Sequence, residues 1–188
     1  MSKLSVSVFF FLLSTCSYVF AWTDLGINEF SSSDELTQLS ELNEGNNNNA
    51  IVNLEHAFNS QVIIKQNNFI GIGNKAKVNQ NGTSNQAVIS QMGGNNTGLI
   101  TQNGNNNSAT LQQWGVNHEG AILQQGNDNT AYLTQLGSNN ENAITQTGDS
   151  NFAAAVNKKS GSSFSIEQTG NQGIILVNGM DRFISIEN

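Results

Sequence analysis

From Asn74 onward the chain alternates between two kinds of position in runs of seven residues, each reading Asn-x-Ala-x-Ile-x-Gln. The closing amide stands at Gln80, Gln91, Gln102, Gln113, Gln124, Gln135 and Gln146, a strict spacing of 11, and the series resumes at Gln168 after Asn157 takes the expected place. The opening position is Asn74, Asn85, Asn96, Asn107, Asn129, Asn140 or Asn151, with His118 and Ser162 as exceptions. Between them lie a mostly small residue (Ala76, Ala87, Gly98, Ala109) and an apolar one (Val78, Ile89, Ile100, Leu111). A period of two puts the Asn, small, apolar and Gln positions on one face of a β-strand.

The remaining four residues of each unit turn the chain. Their second position is Gly82, Gly93, Gly104, Gly115, Gly126, Gly137, Gly148 and Gly170, and only Lys159 departs from this. Glycine at a fixed place in a short connection signals a backbone angle that other residues adopt at a cost. Two successive units, each a strand and a turn, make one rung, which cannot bury its apolar face unless neighbouring rungs stack on it. The expected fold is therefore all-β: a β-solenoid of strand-turn-strand rungs, parallel and in register at about 4.8 Å, competent for cross-β assembly. Inward Asn and Gln then form amide ladders along the axis, which satisfies polar groups that burial would otherwise strand. Because the two strands of a rung run in opposite directions, the small position of one faces the large position of the other.

The ends of the repeat are worn. Asn48-Ala50-Val52-Leu54 and Ser60-Val62-Ile64-Gln66 precede the regular block, with a lengthened connection over 67–73. Gly173-Ile175-Val177 and Arg182-Ile184-Ile186-Asn188 follow it. Thirteen strand-sized units, or six to seven rungs, are expected in one domain over residues 48–188.

The opening segment, Met1 to Ala21, reads as a secretory signal peptide: Lys3, the apolar run Val6 to Leu13, and a small-residue ending Val19-Phe20-Ala21. Leu13-Ser14-Thr15-Cys16 leaves lipidation of Cys16 as an open alternative. Cleavage after Ala21 removes the single Cys, so the exported chain is no disulfide scaffold. Residues 22–47 carry Asp24, Glu29, Asp34, Glu35, Glu41 and Glu44 without a period and read as a flexible acidic leader. The net charge of −7, low overall charge and absence of Pro favour stacking, and no basic patch marks a nucleic-acid partner.

Candidate chemistry changes this picture little. Lys158 and Lys159 interrupt the period and are either a tolerant surface turn or gatekeepers that slow stacking by repulsion between like charges. His118 occupies an Asn ladder position. Asp128 and Asp149 lie in turns without a calcium-binding repeat. No cluster of carboxylates, His, Arg or Lys suggests catalysis, a metal site or a cofactor. The outward positions show no regular array of one residue type, and Trp114 and Tyr132 stand as isolated aromatics.

The spacing Asn85-x5-Gln91-x-Gly93-x-x-Asn96-x-Gly98-x3-Gln102, and again Asn107-x5-Gln113-x-Gly115-x-x-His118-x-Gly120-x3-Gln124, resembles the curlin repeat of bacterial curli fibre subunits. The resemblance covers roughly residues 48–188. It implies a secreted, cell-surface-associated subunit of an extracellular amyloid fibre (a fimbrium supporting biofilm and adhesion). It also implies self-association, pairing with the other curlin subunit, and export through an outer-membrane pore with accessory proteins. The worn ends, the leader Asp24-Leu25-Gly26 to Asn28-Glu29-Phe30, and the apolar Ile174-Ile175-Leu176-Val177 look like the minor, nucleating subunit, although that subunit's last repeats are usually basic and this end pairs Arg182 with Asp181 and Glu187. The alternatives are the major fibre subunit or a soluble secreted β-solenoid that binds ice or glycan.

Overall fold

The computed structural model describes residues 17–20 and 47–179. The signal peptide up to residue 16, the acidic leader to residue 46 and the final unit Arg182-Ile184-Ile186-Asn188 lie outside the described residues. Strand β1 is Ser17–Phe20, and twelve further strands follow: β2 (Asn49–Glu55), β3 (Gln61–Asn67), β4 (Lys75–Asn81), β5 (Gln86–Gly94), β6 (Thr97–Asn103), β7 (Ser108–Val116), β8 (Glu119–Gln125), β9 (Thr130–Ser138), β10 (Glu141–Thr147), β11 (Phe152–Asn157), β12 (Ser163–Thr169) and β13 (Gly173–Asn178). Odd strands form one sheet, ordered β1-β3-β5-β7-β9-β11-β13, and even strands the other, ordered β2-β4-β6-β8-β10-β12.

Every pairing from β2 to β13 is parallel, and each strand lies on the one two places earlier in the chain. The fold is thus a β-solenoid of two-strand coils, as the alternation along each unit predicts. Only β1 pairs antiparallel, with Val19 opposite Ile64 on β3, so it caps the odd sheet without continuing the winding. Gln102 stacks on Gln80 and Gln124 on Gln102, an offset of 22 positions. The offset grows to 25 between Gln66 and Gln91, where the lengthened connection over 67–73 is absorbed as a surface excursion.

Between the sheets lies one narrow core. Val78, Ile89, Ile100, Leu111, Ile122, Leu133 and Ile144 are all completely buried. Small faces large as the strand directions require: a Cβ added to Gly98 on β6 would sit 2.9 Å from Leu111 on β7, and one on Gly120 would sit 2.8 Å from the same side chain. No larger residue fits there without moving the core.

The outer faces differ from expectation. Leu99 and Ala121 point outward from the even sheet and yet are buried, with Lys77 and Thr101 beside them, and form a second, smaller cluster with Ile51, Leu123 and Ala143. Registry brings these residues into neighbouring columns, which their irregular spelling along the chain concealed.

Candidate assembly site

The four-residue turns give each amide a fixed place. In the turn after β6, Gly104 has φ of +123° and its missing Cβ would lie 2.0 Å from the carbonyl oxygen of Gly126 in the next coil. The glycine is thus required twice, by the angle and by the approach of the neighbouring backbone. Two residues later the chain adopts the left-handed region again, at Ser84, Asn95, Asn106, Asn117, Asp128, Asn139 and Ser150, with φ from 54° to 59°, and after Gly170 it does so one residue on, at Asn171. Of these residues sequence reasoning placed only Asp128 in a turn. The signal was present, since all of them are Asn, Asp or Ser, which tolerate that region better than most side chains, and the equivalent place after Lys159 is Gly161.

Inside, the glutamines form two columns. Gln66, Gln91, Gln113 and Gln135 stack in the odd sheet, with each Nε2 donating to the next Oε1 at 2.8, 2.8 and 2.9 Å. Gln80, Gln102, Gln124, Gln146 and Gln168 do the same in the even sheet at 2.7 to 2.9 Å. Each Nε2 also reaches across the core to a strand carbonyl of the opposite sheet, as from Gln91 to Lys75 at 2.8 Å and from Gln113 to Thr97 at 2.9 Å. One amide therefore ties its own column together and staples the two sheets. The carbonyl partner also fixes which end of the amide is nitrogen.

The asparagines occupy the corners. Asn96 donates from Nδ2 to Asn74 Oδ1 at 3.0 Å and to the Gly115 carbonyl at 3.0 Å, while its backbone N-H donates to that same Oδ1 at 3.1 Å. In the other corner Asn107 repeats all three bonds. There Asn85 and Asn129 hold the Gly104 and Gly148 carbonyls, and Asn151 donates to Asn129 Oδ1 from both its nitrogens while its Nδ2 also turns to the Thr147 carbonyl. Asn140 is buried in the Asn74 corner, where its Nδ2 turns to the Leu136 carbonyl. Corner and turn are thereby coupled, because the Asn that opens one unit holds the Gly carbonyl of a turn in the neighbouring coil.

The two kinds of column point in opposite directions. Glutamines donate toward the C-terminal coils, and the asparagine side chains donate to one another toward the N-terminal ones.

Three departures from the pattern each leave a buried polar atom unpaired. Leu54 stands where β2 would supply a Gln, and Gln80 Oε1 is left buried without a partner. Asn157 is too short to continue the odd column; its Nδ2 crosses instead to Asn142 Oδ1 at 3.0 Å, and Asn142 Nδ2 is left buried and unpartnered. His118 interrupts the Asn corner: its Nε2 lies 3.3 Å from the Trp114 carbonyl, and its buried Nδ1 has no partner. Burial holds the His118 pKa below the ordinary imidazole value, although hydrogen bonds from its ring to the Trp114 and Gly137 backbones oppose the shift.

Lys158 and Lys159 are exposed in the connection from β11 to β12. The Lys159 amide donates to Asn157 Oδ1, and a Cβ on Gly179 would lie 2.9 Å from the Lys159 nitrogen, so the following coil packs directly on this turn. On the outside of the even sheet Glu119 stacks on Glu141. Its carboxyl is pushed above the ordinary range, first by partial burial and then by the Glu141 charge. Among the described residues no group of three or more His, Cys, Asp or Glu side chains could hold a metal ion.

The family model described as the curlin associated repeat matches residues 71–104, 82–115 and 104–137 of this chain. Comparison with curated proteins gives no significant match. Comparison with solved structures likewise gives none.

Proposed function

The chain is a curlin-repeat protein, a structural subunit of the curli type, and from that premise we propose that it polymerises by stacking its solenoid end to end into an extracellular amyloid fibre. The observation that carries this reading is the direction of the amide columns. Within the body of the solenoid the Gln columns donate one way along the axis and the buried corner Asn columns the other. Successive copies therefore keep one direction of donation only when stacked head to tail, even though Leu54 and Asn178 interrupt the Gln columns at the junction. Head-to-head contact would set Gln donors against donors and Asn acceptors against acceptors. The edge strands supply the remaining templating groups, since an uncovered strand presents unpaired N-H and C=O groups.

Three finer assignments belong to the same proposal. Signal cleavage after Ala21 removes β1 and opens the β3 edge to another copy. The chain is the minor subunit, which nucleates the major one at the cell surface and so supports adhesion and biofilm. Supporting that role are the end coils, where Leu54, Asn157 and Asn178 replace ladder glutamines, so that the junction differs from the regular body. Its partners are then the other curlin subunit, the outer-membrane secretion pore and accessory proteins.

Purified residues 22–188 are expected to form fibres that shift a cross-β dye. A chain that stays monomeric in dilute neutral buffer would overturn the fibre reading. Substoichiometric addition to the major curlin should shorten its lag, and an unchanged lag removes the nucleating role.

A further inference from the structure

The two outer faces of the solenoid are chemically unlike. On the even sheet Lys75, Lys77, Glu119, Glu141 and Glu167 point outward, and of the apolar residues among them Leu99 and Ala121 are buried and Ile51, Leu123 and Ala143 half-buried. On the odd sheet, the outward positions from β5 to β13 carry no Asp, Glu, Lys, Arg or His. Apart from Phe58, every exposed large hydrophobic side chain among the described residues lies on that face or beside it.

Registry assembles this face. Met92, Trp114 and Leu136 stack in one column across β5, β7 and β9. Met92 is 46% and Trp114 50% exposed. The excursion over 67–73 rests against the end of β5, where the Asn95 amide donates to the Ile72 carbonyl, and adds exposed Phe69 and Ile70 to the same ridge. Two columns away the Tyr132 and Phe152 rings meet with centroids 6.2 Å apart. Trp114 and Tyr132, isolated in sequence, therefore lie on one nearly uncharged surface, where the column Ser90, Gln112 and Thr134 separates the Met92 ridge from the Tyr132 and Phe152 pair. Exposed apolar side chains gathered on an otherwise polar protein mark interaction sites.

We infer that this face is a lateral interface between copies of the chain lying in neighbouring filaments. The inference rests on the fibre reading above. Charge and area permit a second copy as the occupant. The solenoid over residues 47–179 carries six carboxylates against five lysines. The face is uncharged apart from Lys158, which continues the Met92, Trp114 and Leu136 column, so two copies approach there with little repulsion. Five strands at about 4.8 Å by seven residues at about 3.3 Å make a face of roughly 550 Å². A stable pair needs about 800 Å² from each partner, so one chain falls short and two stacked chains, with roughly 1,100 Å², do not. Lateral association therefore follows end-to-end stacking: single chains stay apart and filaments pair.

The test compares filaments of residues 22–188 with a variant carrying Trp114→Ser, Tyr132→Thr and Leu136→Ser, by electron microscopy and low-speed sedimentation. Wild-type filaments should associate side by side; the variant should assemble with the same dye kinetics and remain single. A second variant, Gln112→Lys with Thr134→Lys, should lose lateral association at low salt and regain it at high salt as the added charges are screened. Side-by-side association that persists in both variants overturns the proposal. So does a wild type whose filaments stay single but sediment with microcrystalline cellulose in a Trp114-dependent way, which would assign the face to glycan. If the wild type makes no filaments, the fibre reading itself falls, and this interface with it.

Discussion

Replacing Gln113 by Leu tests whether the amide columns hold the fold or merely occupy it. Gln113 is fully buried at the centre of the odd column. It accepts from Gln91 at 2.8 Å, donates to Gln135 at 2.9 Å and donates to the Thr97 carbonyl at 2.9 Å. Leucine fills much of the volume but makes none of these bonds. Gln91 Nε2 keeps its bonds to the Lys75 and Asn96 carbonyls, so its loss is small. Gln135 Oε1 and the Thr97 carbonyl lose their amide donor, at about 1–3 kcal/mol for an acceptor left unsatisfied. Leucine recovers part of that by its greater apolar burial. The net is about 2.5 kcal/mol of destabilisation, or roughly a seventyfold rise in the concentration of free chain in equilibrium with fibres. The control is Gln112→Ala on the outward neighbour, which should change stability by no more than about 0.5 kcal/mol. Soluble protein remaining after assembly reaches a plateau, measured across a guanidinium series, reports both. A Gln113→Leu plateau within threefold of the control would refute the reasoning and reduce the ladder to decoration.

His118→Asn should restore the corner ladder. The folded His118 pKa is lowered, so the wild type keeps its full stability above the unfolded imidazole value of about 6.5 and loses it as pH falls below that; the Asn variant should lack this loss, and denaturation at neutral and mildly acidic pH checks it. Glu119 acts in the opposite sense, because its raised folded pKa means stability is gained as pH falls through that pKa and lost above it. Glu141→Gln should move the Glu119 titration, followed by carboxyl NMR, back toward the ordinary range. Gly104→Ala meets the Gly126 carbonyl and should cost about 3 kcal/mol or more, whereas Gly170→Ala, with nothing within 4 Å and φ of +70°, should cost only about 1 kcal/mol of backbone strain, and denaturant midpoints of the two variants compare them. Replacing Lys158 and Lys159 by Gln and Gly, the spelling of the regular turns, should shorten the lag of fibre growth if the pair is a gatekeeper; an unchanged lag leaves it a surface turn.

Much of this fold was legible because its period is short and strict. The alternation from Asn74 to Gln80 assigns the inward face without any long-range information, and the regular recurrence of the unit then dictates which residue stacks on which. The small-against-large packing of Gly98 on Leu111 follows from strand direction alone. What could not be read lies between columns. The burial of Leu99 and the joining of Met92, Trp114 and Leu136 depend on lateral neighbours that stand a full coil apart in the chain and differ in type, so no local pattern announces them. Amide direction is likewise silent in sequence, since it is set by which backbone carbonyl each Nε2 can reach. The departure of Asn157 toward Asn142 arises because one fewer methylene cannot span to Gln135, a fact of reach that composition does not encode.

The opposed directions of the Gln and Asn columns also bear on how long such a stack can grow. Each amide carries a dipole comparable to that of a peptide unit, about 3.5 D, and aligned units add along an axis as they do in a helix. A fibre with glutamine columns alone would accumulate an electrical moment with every coil, concentrating partial charge at its two ends. Here the asparagine corners run counter to the glutamines, and sheets themselves contribute little net dipole. The corners offset part of the moment, while the exposed turn amides, which donate the same way as the glutamines from Asn95 to Asn117 to Asn139 and from Asn105 to Asn127, add to it. A longer fibre therefore carries a larger but tempered axial moment.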